Sequence, residues 1–337
     1  MKRKVRAFNT VIKVENEFAR YQPLINNEYT ELLALSVLAR ALRKCEGIVL
    51  CHYVFLPWGY KMIITGDPSQ YSAFMNYFGG ELAKCLKESL GLSYENIWAR
   101  KFDEEILHSP LDVNKAITEI YLEPLLKGVC QSLKSYGNMS SWNMFKSALK
   151  VRDGTVTIEV GEVSQCMIDK VKRDITEVDE SQIYLKLNKK IRCNIKLEVK
   201  PFGWKKCFSY TKKCGKKKMF NKFKATLSRK IKESKDEIRK KKKRAAKGRI
   251  PLKEIYKRYK PKRRKKGERE YIRCSHKKKE KKIKERYAFF CIKCDNCYKG
   301  WKESSNGQVV VEYPKGAFVP TGPPYTSLQV APSLEEI

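Results

Sequence analysis

Three thiols, Cys291, Cys294 and Cys297 in "CIKCDNC", form the densest set of possible metal ligands in this chain of 337 residues. Ferredoxin-type ligation needs a fourth Cys followed by Pro, and Trp301 stands where that Cys belongs. The three thiols instead recur at helical spacing, which predicts small core residues along one helix face. Cys207 with Cys214, and Cys274 with His276, are spaced unlike the common zinc patterns. His52 lies on an apolar run where a lone imidazole is more often packed than ligating, and His108 stands apart from it. The 12 cysteines follow no regular framework, which fits reduced thiols rather than a secreted disulfide scaffold. These residues call for no cofactor.

Charge is the stronger chemical signal. The formal net charge is +35, far beyond what solubility requires, and it is unevenly spread. Residues 1–150 carry a net +4, whereas residues 201–290 carry +31. A surplus of that size implies a polyanion, with nucleic acid the default partner. The densest cations are Lys216, Lys217, Lys218, Lys241, Lys242, Lys243, Arg244, Arg263, Arg264, Lys265 and Lys266; Lys61 and Arg100 would add to them from the head. Phe220, Phe223, Tyr256, Tyr259 and Tyr271 are interleaved with this charge, so they are expected to offer stacking for unpaired bases. A solvated basic helix or linker would attract the same polyanions without geometry.

The near-neutral head must position whatever chemistry there is. Val5–Val14 reads as a strand, and Asn27–Gly47 places Leu32, Leu33, Leu35, Val37, Leu38 and Leu42 at helical spacing before Gly47. "YVFLPWGYKMII", Tyr53–Ile64, is apolar on both sides of Pro57-Trp58-Gly59, the pattern of two strands joined by a tight turn. Asp67 is a candidate N-cap with Pro68 opening a helix, and a fourth strand is expected over Asn96–Phe102. The order β-α-β-β-α-β is that of a ferredoxin-like α+β domain.

Residues 96–145 then resemble, in order and spacing, the REP-associated tyrosine transposases, single-strand DNA transposases of the HUH superfamily. Trp98, Arg100, Phe102, Pro124, Gly128, Ser140, Ser141 and Trp142 stand at matching places. "KLEVKPFGW" (Lys196–Trp204) matches more loosely, and residues 285–324 resemble the C-terminal helix and Pro/Gly-rich close of a long-tailed branch. The family's Met-Pro-Asn-His-x-His strand falls on Leu56, Pro57, Trp58, Gly59, Tyr60 and Lys61, so both metal-binding imidazoles are missing. The attacking Tyr of Tyr-Ile-x-x-Asn-Pro falls on Glu119, and the Asn on Glu123. Tyr121 is the fallback nucleophile, but two residues turn a helix by about 200° and aim it elsewhere.

The resemblance implies a transposase-like α+β domain at 1–150, a basic, mainly helical accessory region at 151–290, and a C-terminal helix with a closing tail at 291–337. It implies single-stranded or hairpin DNA as partner, with RNA the alternative polyanion and a homodimer compatible. Trp58, Gly59 and Lys61 should lie on an open sheet face, across from the helix bearing Glu119. Strand cleavage appears as a lost activity, and a divalent metal is expected only if rearranged ligands keep it. No apolar run of 18 residues occurs, so a cytoplasmic or nucleoid-associated protein is expected.

Overall fold

Alternation along β1 (Val11–Glu17) sets up two layers: Ile12 and Val14 enter one apolar core, while Val11 enters another. With side chains alternating along a strand, Lys13 and Glu15 share the Val11 side. The computed structural model describes residues 10–19, 23–92, 96–99, 101–173, 185–186, 189, 191, 194–236, 238, 272–275, 277–303 and 312–314. These described residues divide into two units, one within Asn9–Ser275 and the other within His276–Ile337.

The first unit is α+β. Its sheet has the order β2-β3-β1-β4-β7, with β2 at Ile48–Leu56, β3 at Gly59–Gly66, β4 at Asp103–Leu107 and β7 at Ile272–Arg273. The four strands β1 to β4 are antiparallel to their neighbours, and β7 joins β4 in parallel. β1 therefore starts later than the run Val5–Val14 suggested, and residues 5–9 lie outside the described set. The fourth strand is displaced from Asn96–Phe102 to "DEEIL". Trp98 makes only an isolated bridge to Phe18 and acts as an aromatic anchor, stacked on Phe18 at 5.0 Å with its indole N–H on the Gly79 carbonyl at 2.9 Å. Acidic residues have poor strand propensity, which is why β4 was hidden.

Two helices close one face. In α1 (Glu28–Lys44) the Asn27 side chain accepts the Thr30 N–H at 2.8 Å. In α2 (Pro68–Leu90) Asp67 caps the Ser69 N–H and the helix stops at left-handed Gly91. Both bury leucine and aromatic side chains against Tyr53, Phe55 and Tyr60. The opposite face is closed by α3 (Pro110–Leu126), α4 (Trp142–Ser147) and a basic helix, Lys216–Glu233. No open sheet face remains beside Lys61, contrary to expectation. A second ribbon, β5 (Val156–Gly161) with β6 (Asn194–Val199), packs on α1, and α5 (Gln165–Arg173) lies against α2.

The outer edge of β2 is occupied by irregular chain. Lys200 N–H donates to the Leu50 carbonyl, the Ser141 hydroxyl and N–H meet the N–H and carbonyl of Tyr53, and the Tyr136 hydroxyl donates to the Phe55 carbonyl. β7 covers Ile106 and Leu107 on the other side.

In the second unit, the helix Lys277–Glu303 turns Ile283, Tyr287, Cys291, Cys294, Tyr298 and Trp301 to its less exposed face, with Cys294 buried. Cys297 donates to the Glu312 carbonyl at 3.3 Å. Among the described residues no three His, Cys, Asp or Glu side chains converge as a metal site, and no helix is long and apolar enough to cross a membrane.

Candidate functional site

Lys61 stands directly opposite Glu15 in the β1–β3 register, and its ammonium lies 3.1 Å from Glu15 Oε2. Glu123, reaching down from α3, is closer still at 2.6 Å. Beside them Lys13 contacts Glu15 at 3.4 Å, Glu105 of β4 at 3.6 Å and Glu119 of α3 at 3.7 Å. Lys61, Glu15 and Glu123 side chains are 17–18 % exposed, whereas Glu119 is 46 % exposed. Burial alone would pull the Lys61 ammonium down, but Glu123 and Glu15 outweigh it and hold the group above its ordinary value.

These contacts bring together the positions that the resemblance singled out: Lys61 from the strand, Glu119 and Glu123 from the helix. They do so as an ion-pair network. The ammonium has three donors and no lone pair, and the carboxylates beside it are engaged by it. The residues present do not fit a divalent metal.

Gly59 adds a steric bar. A Cβ built there meets the Asn16 carbonyl oxygen at 2.1 Å, because β1 backbone presses on the start of β3. The turn before it is held by Phe18 N–H on the Trp58 carbonyl and Ile25 N–H on the Pro57 carbonyl. Trp58 is buried.

Tyr121 points the other way round α3 and has no exposed surface. Its hydroxyl lies 2.9 Å from His52 Nδ1 and 2.8 Å from Ser141 Oγ. Around it pack Trp142, Phe145 and Phe223. Burial raises its pKa well above the ordinary tyrosine value, and the fallback nucleophile is a core residue. His52 reaches this core because β2 shifts register between Leu50 and His52, a bulge that turns both Cys51 and His52 toward α3. Burial pushes the His52 pKa down to about 3, with the Pro201 carbonyl opposing the shift.

A neutral buried imidazole stabilises the fold above the unfolded pKa and loses that contribution as pH falls from about 6.5 toward 3. Thermal unfolding between pH 8 and pH 4 should therefore show a fall in Tm that a non-titrating His52→Asn variant shares only in part. Equal slopes in the two proteins would remove His52 from the acid response.

The basic set divides. Lys216 donates to the Val151 and Arg152 carbonyls at 2.8 and 2.7 Å, tying its helix to the preceding turn. Lys217 and Lys218 are exposed. Phe220 and Phe223, expected to stack on bases, are instead buried at 7 % and 1 % exposure against Phe145 and Trp142. Helical phase decides this: Phe220, Phe223 and Leu227 share one stripe, and that stripe is the core side. Arg100, Lys241, Lys242, Lys243, Arg244, Arg263, Arg264, Lys265, Lys266, Tyr256, Tyr259 and Tyr271 lie outside the described residues. Of the thiol pairs, Cys207 sits 3.0 Å from the Thr65 hydroxyl, and the Cys214 carbonyl accepts from Lys205.

Sequence reasoning missed Lys13, Glu15 and Glu105. The available signal was charge at alternate positions of an otherwise apolar strand, "VIKVENE".

No protein-family model matches this chain, and no curated protein matches it. Among solved structures, a REP-associated tyrosine transposase bound to a REP hairpin is similar at 17 % identity and a TM-score of 0.34, covering 44 % of this chain and 84 % of that one.

Proposed function

We propose that this protein binds DNA and does not cut it. Its excess charge supplies the affinity, and a ferredoxin-like domain of the REP-associated tyrosine transposase kind supplies the scaffold. The observation that carries the second half is the Lys61 ammonium lodged between Glu15 and Glu123, where strand cleavage would need a Lewis acid. The +31 net charge of residues 201–290 supports the first half. The strand order and the matching residues Trp98, Pro124, Gly128 and Ser140–Trp142 support the choice of scaffold.

The test is a pair of gels with hairpin-flanked DNA. A native gel should show binding that weakens steeply with salt, as counterion release requires. A denaturing gel with Mg²⁺ or Mn²⁺ should show neither a cleaved strand nor a protein-DNA adduct. A protease-sensitive covalent band would overturn the non-cutting reading, and tighter binding to RNA of equal length would overturn DNA as the partner.

A further inference from the structure

The helix Lys216–Glu233 separates its two sides sharply. Phe220, Phe223 and Leu227 are buried on one, while Lys218, Lys222, Arg229 and Lys232 project from the other. From 216 to 232 the chain has eight cations and no acid. Lys216, Lys217 and Lys218 occupy the first turn, where the positive end of the helix dipole disfavours cations. Lys216 is used to hold the helix to the Val151–Arg152 turn, but exposed Lys217 and Lys218 oppose the helix dipole, a cost that an anionic partner would offset.

We infer that the solvent side of this helix is a docking surface for the phosphate backbone of paired DNA. The inference rests on the DNA-binding reading and narrows it to a surface and to a duplex. Lys218 to Lys232 spans about 21 Å along the axis. The two rings of this helix that could stack on unpaired bases, Phe220 and Phe223, face inward, so its solvent side offers charge without the platforms that single-strand binders use. Charge alone favours the polymer with the densest phosphates, and a duplex presents one per about 1.7 Å.

Fluorescence anisotropy on the full chain tests this with a hairpin duplex and an unstructured strand of equal length, across a salt series. The fourfold variant Lys218→Gln, Lys222→Gln, Arg229→Gln, Lys232→Gln should weaken duplex binding at least tenfold. It should also flatten the slope of log K against log salt by up to about 3.6, since each of the four lost phosphate contacts removes about 0.9. A second variant, Lys217→Glu with Lys218→Glu, should weaken duplex binding while raising Tm by about 1–3 °C, because acids suit a helix N-terminus. Unchanged slope and affinity in the fourfold variant would overturn this surface while leaving DNA binding intact. Equal or tighter binding of the unstructured strand would overturn the duplex preference. Tighter binding of double-stranded RNA or of anionic vesicles would overturn the partner. No binding of either DNA by the unaltered chain would sink the underlying reading itself.

Discussion

Lys61→Met destabilises the protein by about 2–3 kcal/mol in urea unfolding near neutral pH, even though methionine matches the length of the aliphatic stem. Removing one partner of a buried ion pair costs about 3–5 kcal/mol, and the residual exposure here discounts that figure. The loss comes from removing the cation that lies 2.6 Å from Glu123 and 3.1 Å from Glu15, which leaves Glu123 beside a Glu15 that keeps Lys13 at 3.4 Å. Adding Glu123→Gln to the variant should recover much of the loss, a coupling that a double-mutant cycle measures directly. The pH response has a definite sign. Because the folded Lys61 pKa is raised, its contribution is full below about 10.5 and lost as pH rises through the folded value. The variant should lack this alkaline loss. A single-variant cost below about 0.5 kcal/mol would show that the network is merely a surface arrangement.

Gly59→Ala should cost about 3 kcal/mol or more, and Gly59→His at least as much. The added Cβ would sit 2.1 Å from the Asn16 carbonyl oxygen, and only movement of the β1 backbone can relieve it. A side chain at position 59 has no room to start from without that movement. Urea midpoints for Gly59→Ala and Lys61→His, measured side by side, check this. A Gly59→Ala midpoint within error of the unaltered protein would mean that the close approach relaxes freely.

Much of the first unit was legible because its signals are local. Asn27 and Asp67 cap the helices that follow them, and the apolar runs flanking Pro57-Trp58 became β2 and β3. The junction of Lys61 with α3 was legible only through the order of residues around it. The partners of Lys61 were not: Glu15 is 46 residues away in sequence, and nothing local marks which carboxylate a strand lysine will meet. Tyr121 and His52 illustrate the same limit. Helix geometry put Tyr121 away from Glu119, but the bulge that delivers His52 to it depends on β2–β3 register, which composition does not encode. Phe220 and Phe223 were misread because dense lysine suggested an exposed element. Counting their period against Leu227 would have assigned them to the core.

The covered edges of the sheet bear on self-association. A bare edge strand offers a row of unpaired amides and carbonyls, the usual template for strand exchange and fibril growth. On β2 those groups are already taken at Leu50, Tyr53 and Phe55 by residues from 136, 141 and 200, and on β4 two of them are taken by β7. A second copy of this chain cannot extend the sheet across these positions without first displacing that chain. At these positions two copies would have to meet through side chains, and crowding two such cationic molecules together then depends on shared counter-charge rather than on backbone pairing.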